Sequence, residues 1–439
     1  MSPPKGVVAD ESIAEPVTAS SNTDEDDRQG SCFTGTIAFL RNIPIFWKVL
    51  CCIIAVGVIP ILISTVLGDD AYQQLKNEIE HELNEQNYHN YTTIRDAVHE
   101  DYVTLLAATL HKHFEHVNVK VEVKLFSMFN NFNRLFDRTH DSIGHKQERF
   151  LVYRANCLKI LANNDNPNRR FQMELNGFGD MTSEEFMALH TARFVPREQS
   201  SKDVGPVPQP TATSWRSIDY AEQGQMTPVK NYIASGSSSS SSVFATTATL
   251  ESLLKEHNQH VSLSEQQLID CMPEGEGDIY SAYEFLKTHG ATNGTVYPYK
   301  GTKQKCLPVE GQPNYKLINY GYTEKPDLFD LLDKKGPVTV YVAVNEDWQF
   351  YSNGIIDTCG KEVNHAVVLA GVTEGHAYSY WLIKNSWGPE WGIGGYARVD
   401  YHSKNFDNEC GMNLVAVYPE EIALENVQFA SRVPPTVTI

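Results

Sequence analysis

Six consecutive serines, Ser237 to Ser242, stand directly before Val243-Phe244. A serine hydroxyl becomes a nucleophile only beside a base that takes its proton, because an aliphatic alcohol ionises far above physiological pH. The run also has a plainer reading, a low-complexity expansion in which Ser241 or Ser242 caps the helix that follows. A second cluster, Gly392-x-Gly394-Gly395, has the composition of a nucleotide-binding loop. No strand–turn–helix unit surrounds it, so it reads as a turn. The eight cysteines include an adjacent pair, Cys51 and Cys52, but no Cys-x-x-Cys spacing. They fit neither a structural zinc site nor a disulfide-dense scaffold. Cys271, Cys306, Cys359 and Cys410 all fall in the last half of the chain.

The elements that must position such groups follow from the remaining pattern. The chain has 439 residues, 41% of them hydrophobic, which is enough for at least one globular domain and exceeds a typical single core. Its net charge of −19 opposes the basic footprint of nucleic-acid binding, so no nucleic-acid partner is expected. Residues 1–42, rich in Ser, Thr, Pro and acids over their first 32 positions, read as a disordered tail. Val49 to Leu67 is a run of 19 residues without a charge, long enough to cross a bilayer, and places a transmembrane signal-anchor helix at 43–67. Pro60 is tolerable inside such a span. Arg41 and Lys48 precede it, which favours a cytoplasmic N-terminus and a single-pass type II topology with the C-terminal domain lumenal or extracellular, in a lysosome-like compartment among the options. The sequons at Asn90 and Asn293 agree with that exposure.

Residues 68–194 read as a helical segment, with apolar positions at helical spacing (Val103, Leu106, Ala107, Leu110; Phe129, Phe132, Phe136). The Pro- and Ser-rich stretch 195–211 reads as an exposed linker. Downstream, Val338 to Val344, Ala366 to Val372 and Tyr396 to Val399 read as strands after a helical first third, so the class is α+β.

Four segments carry a resemblance: MTPVKN (226–231), SLSEQQLIDC (262–271), NHAVVLAGV (364–372) and WLIKNSWGPEWGIGGYARV (381–399). In this order they closely resemble the papain-like cysteine peptidases over roughly 212–418, leaving 419–439 as a C-terminal tail. Upstream, Arg149, Val152, Tyr153, Asn156, Ile160 and Asn164 follow the spacing of that family's inhibitory propeptide helix. Glu174-x-Asn176-x-Phe178-x-Asp180 is similar to its second propeptide motif. The resemblance implies a two-lobed domain, a helical lobe plus a β-barrel-like lobe, preceded by a helical propeptide and one transmembrane helix, and makes 68–194 a stalk and inhibitory propeptide. It further implies a cleft that takes a peptide or protein, the chain's own propeptide as a partner, and no cofactor or metal. Cys271–Cys306 and Cys359–Cys410 would match two of the family's disulfides.

The same resemblance assigns catalytic positions. The nucleophile position falls on Ser241, the imidazole partner on His365 and the orienting amide on Asn385. Where the family carries a cysteine and an oxyanion-hole Gln, this chain has no cysteine between Cys157 and Cys271 and no glutamine between Gln225 and Gln259. A helix N-terminus stabilises an anion by about 0.3–2 kcal/mol, which helps expose a thiolate and is far too little for an alcohol. Ser241 would need His365 as general base, and the loss of one oxyanion donor costs about 10²–10³ in rate. Neither Tyr232 nor Ile233, in the region of the missing Gln, is expected to donate as an amide does. Two readings follow: a papain-like homologue that is catalytically impaired or inactive, or a hydrolase of peptide or ester bonds using Ser241, His365 and Asn385. On the first, Ser241→Cys alone is expected to be alkylated readily yet to turn peptides over slowly.

Overall fold

A computed structural model describes residues 71–82, 97–113, 118–192, 217–232, 240–273, 277–309, 314–375, 378–401, 409–424 and 427–430. The tail 1–42, the anchor segment 43–67 and the linker 195–211 lie outside these residues. Among the described residues, no helix is long and apolar enough to cross a membrane. The chain divides into two compact units, with the division between Arg154 and Ala155.

The unit ending at Arg154 is helical. Helix α1 covers 71–82, α2 is Ala97–His113, α3 is Val119–Leu135, and α4, Ile143–Asn164, continues across the division. Asn118 caps α3 by accepting from Val121 N at 3.3 Å, which satisfies one of the helix's unpaired donors. The apolar spacing read from sequence lies on the buried faces: Leu106, Ala107 and Leu110 in α2, Phe129 and Phe132 in α3. Phe126, Phe129 and Phe132 meet Phe150 and Tyr153 of α4 at ring separations of 4.8–5.7 Å. Glu122, buried in that packing, is held by Arg154 through Nε and Nη2 at 2.6–2.9 Å, the fork geometry that makes a buried carboxylate tolerable.

The second unit is built on an eight-stranded antiparallel sheet. Its main path runs β10 (Val427–Ala430), β9 (Val415–Leu424), β4 (Val338–Val342), β6 (His365–Thr373), β7 (Tyr380–Lys384) and β8 (Tyr396–Asp400). Beside it, β2 (Ser217–Asp219) pairs with β6 and β3 (Tyr315–Glu324) with β9. Every residue of β4 is buried, as expected of a β-branched run covered on both faces. The strands anticipated at 338–344, 366–372 and 396–399 are β4, β6 and β8. Strand β9 continues past Tyr418 and β10 follows it, where a tail had been expected. Ladder pairing with β3 on one side and β10 on the other supplies the main-chain partners for this segment.

Helix α6 (Ser240–Glu256) packs on β6 and is buried continuously from Ser240 to Leu254. Its Thr246, Thr247 and Thr249 are poor helix formers, so packing rather than propensity holds it. Its carboxylate Glu251, fully buried, pairs with Lys230 Nζ at 2.6 Å. Lys230 also pairs with Glu265 at the start of α7 (Glu265–Cys271), tying two helices together. Helices α8 (Ile279–Thr288) and α9 (Leu328–Lys335) complete the unit, each opened by an aspartate cap, Asp278 and Asp327. Both anticipated disulfides are present, Cys271–Cys306 and Cys359–Cys410, with Cα separations of 4.8 and 5.6 Å.

The propeptide region is not wholly helical. After α4, Phe171–Met173 forms strand β1, paired with β5 (Tyr351–Gly354), and a short helix α5 (Ser183–His190) follows. Residues that the resemblance assigned to a propeptide are the clamps of this segment. Asn156 Nδ2 donates to the carbonyls of Gly179 and Met181 at 2.9 and 2.8 Å. Asn164 makes a two-way pair with the Met173 backbone, and Asn176 Nδ2 donates to Gln349 O at 2.8 Å. A reciprocal cap between Thr182 and Glu185 opens α5.

Candidate active site

The strand side of the cleft is assembled from β6 and the loop after β7. His365 opens β6 opposite Val342 of β4, fully buried. Its Nε2 lies 2.8 Å from Asn385 Oδ1, which also accepts from Ser386 N. The Asn385 backbone is set by its N–H, which donates to Gly395 O at 3.0 Å. That is the work of the Gly392–Gly395 cluster: a turn with φ of +62°, +62° and +89° at its three glycines, whose last residue meets the Val229 side chain where a Cβ would sit. Trp387 covers the imidazole at 4.8 Å between ring centroids. Burial pushes the His365 pKa down to about 4, outweighing the Asn385 hydrogen bond and a smaller contribution from the His190 backbone, both of which favour the charged form. His365 is therefore neutral over the physiological range. Its Nδ1 makes no hydrogen bond of normal geometry.

The helix side is the first turn of α6. Ser241 is fully buried and its Oγ accepts from Ala366 N at 3.3 Å, so the serine position and the histidine position meet across α6 and β6. Neither Ser241 nor Ser242 caps the helix, as had been an option: the helix already begins at Ser240, which places both inside its first turn. The Oγ atoms of Ser240 and Ser242 have no hydrogen-bond partner although both residues are buried. Residues 233–239 lie outside the described residues. The three positions assigned from sequence are thus brought to one place, with the histidine–amide pair formed and the serine hydroxyl engaged with backbone.

The segment after α4 enters this place. His190, the last residue of α5, is packed against Phe178 at 4.9 Å and Phe186 at 5.6 Å, and both phenylalanines rest edge-on against Trp387. Burial lowers the His190 pKa to about 4. Two residues later, Ala192 N donates to Asn364 O at 2.7 Å, next to His365. Tyr232 lies between the two sides. Its backbone N–H donates to Ser386 O at 3.1 Å and its hydroxyl donates to His190 O at 2.9 Å. Sequence reasoning discounted Tyr232 as a donor because it was compared with an amide; the phenol reaches a carbonyl all the same. His190 was not singled out at all, and the only signal for it was its i, i+4 spacing from Phe186 on α5.

Comparison with known proteins agrees with this arrangement. Residues 209–420 match the model of the papain family cysteine protease domain, and residues 129–186 match the cathepsin propeptide inhibitor domain (I29). The KDEL-tailed cysteine endopeptidase CEP2 of Arabidopsis thaliana is 32% identical over 305 residues, covering 65% of this chain and 83% of that protein. The chain belongs to the papain family.

Among other family members, chymopapain of Carica papaya is 30% identical, over 67% of this chain and 87% of its own length. Among solved structures, digestive procathepsin L2 proteinase from the Tenebrio molitor larval midgut superposes with a TM-score of 0.59 at 28% identity, covering 67% of this chain and 99% of that one. Phe178 and Phe186 fall within the matched propeptide domain, and His190 lies four residues beyond its end.

Proposed function

We propose that the protein is a membrane-anchored, propeptide-bearing papain-family homologue that binds peptide or protein chains in its cleft and turns them over poorly. The observation that carries this reading is the state of the two halves of the site. His365 and Asn385 are paired at 2.8 Å, while Ser241 Oγ accepts from the Ala366 backbone and His365 Nδ1 makes no hydrogen bond of normal geometry. A serine at the nucleophile position needs its proton taken by that nitrogen. Anchorage through 43–67, with the peptidase-like domain lumenal or extracellular, is supported by the uncharged run and by two disulfides, which persist in oxidising compartments. The stretch 68–194 is assigned as stalk and inhibitory propeptide.

The alternative, hydrolysis by Ser241, His365 and Asn385, is favoured by one feature: an imidazole kept neutral has the protonation state of a general base. Treatment of the full chain with a serine-directed fluorophosphonate separates the two. No labelling above that of a His365→Ala control is expected. Fast, His365-dependent modification of Ser241 would establish the hydrolase instead.

A further inference from the structure

We infer that the Tyr232 hydroxyl is the cleft's side-chain donor to a peptide carbonyl, occupied in this state by the propeptide carbonyl of His190. The inference deepens the reading of the cleft as a peptide-binding site and rests on it.

The proton count decides the direction of donation. Trp387 Nε1 lies 2.9 Å from Tyr232 Oη, and an indole N–H can only donate. Tyr232 Oη is therefore an acceptor toward Trp387, and its single proton is directed at His190 O, 2.9 Å away. Each bond in such a chain polarises the next, and in a buried site the second bond is strengthened by the first. Tyr232 is only 1% exposed, and burial holds its phenol well above the ordinary tyrosine range, so the proton stays on the oxygen.

The donor does not depend on the altered serine-rich approach. Tyr232 is fixed from the strand side, by its N–H to Ser386 O and by the pairing of Asn231 with Trp387. What it recognises is main chain. Thr191 is extended, with φ −130° and ψ 152°, and is flanked by the His190 carbonyl bound to Tyr232 and the Ala192 N–H bound to Asn364 O. That is a strand-like two-point grip on an extended chain, indifferent to the side chains it carries. With the carbonyl withdrawn, the buried O–H would lose its acceptor, a cost that favours an occupied cleft. The ligand class is an extended peptide segment offering a carbonyl and, two residues on, an N–H.

The dipeptide His-Thr occurs once in the chain, at His190-Thr191. Full-length protein labelled with [1-13C]His and [15N]Thr therefore gives a single carbonyl-carbon correlation for this peptide bond. In Tyr232→Phe the His190 carbonyl carbon should move upfield, and exchange of the Ala192 amide should quicken about tenfold, the effect of one neutral hydrogen bond. Tyr232→Gln, which restores a donor, should return the resonance toward its wild-type position. Should Tyr232→Phe not fold, the wild-type carbonyl should still show a deuterium isotope shift between H2O and D2O from the Tyr232 hydroxyl. An unmoved resonance in a folded Tyr232→Phe protein, or no isotope shift in the wild type, would overturn the inference. Neither readout involves Ser241, so a reactive serine would refute the proposed function and leave this result standing.

Discussion

The two sides of the cleft have been treated differently. On the strand side, His365, Asn385 and Trp387 keep a formed hydrogen bond and a covering ring; all three are buried, and Trp387 belongs to the hydrophobic core. On the helix side, the first turn of α6 carries serines whose hydroxyls go to backbone or to nothing. Chemistry and architecture are therefore separable in this cleft. The strand-side groups are also core groups, so they persist for packing whatever becomes of catalysis, whereas the start of α6 is free to change as long as Phe244, Leu250 and Glu251 still anchor the helix below it.

That contrast can be tested from its strongest point downward. Lys230 supports the helix side, and Lys230→Ala would leave Glu251 and Glu265 buried with their main countercharge gone. A loss of about 3–5 kcal/mol in denaturant unfolding is expected. A loss below about 1 kcal/mol would mean that α6 is not held by this triad.

Acid should act on the strand side and on the α5 histidine that packs toward it. His365 and His190 have folded-state pKa values of about 4 against about 6.5 unfolded. Above pH 6.5 both states are neutral and nothing is lost. Between 6.5 and 4 the unfolded chain binds protons that the folded one refuses, so stability falls with pH, by about 3 kcal/mol per histidine near pH 4. His190→Gln should reduce that slope by close to one proton in unfolding experiments at pH 7.5, 5.5 and 4.5. Parallel slopes for variant and wild type would sink the assignment.

The disulfides sharpen the comparison because one lies on α7 and the other beside β4. Replacing Cys271 or Cys359 by Ser should each cost about 2–4 kcal/mol, read from thermal unfolding of the single variants. A clear inequality would rank the two sides. The smallest effect belongs to Thr182→Ala, which removes the α5 cap for about 1 kcal/mol. It should raise amide exchange in 183–190 and leave α6 and β6 unchanged.

Much of this was legible in the sequence, for reasons that differ by residue. The β-branched runs of β4 and β6 announce strands, and the order of the four matched segments places His365 and Asn385 on a known frame. Asn156, Asn164 and Asn176 could be picked out through the family resemblance, and each satisfies a fixed backbone point, Asn156 and Asn164 within 171–181 and Asn176 at Gln349 O. The serine run has no register of its own, since its residues are identical, and Ser241 could be assigned only by counting back from Glu251 through Phe244 to the matched frame. Tyr232 and His190 escaped because their value lies in contacts across long sequence separations: the hydroxyl to a propeptide carbonyl, the ring to Phe178 and Trp387. Strand β1 is only Phe171–Met173, too short for alternation to show, and β9 outran its expected end because its partner β3 runs equally far.

The two-point main-chain grip has a further consequence for competition. The segment it holds belongs to the same chain, so a second peptide does not meet an empty cleft but an occupant present at an effective concentration set by its tether. Because the grip reads only a carbonyl and an N–H, an invading strand gains little selectivity from these two contacts and must win elsewhere or by abundance. Severing the chain between 195 and 211 would turn that intramolecular occupant into an ordinary ligand at its bulk concentration. The accessibility of the cleft to others would change by orders of magnitude without one contact in it being altered.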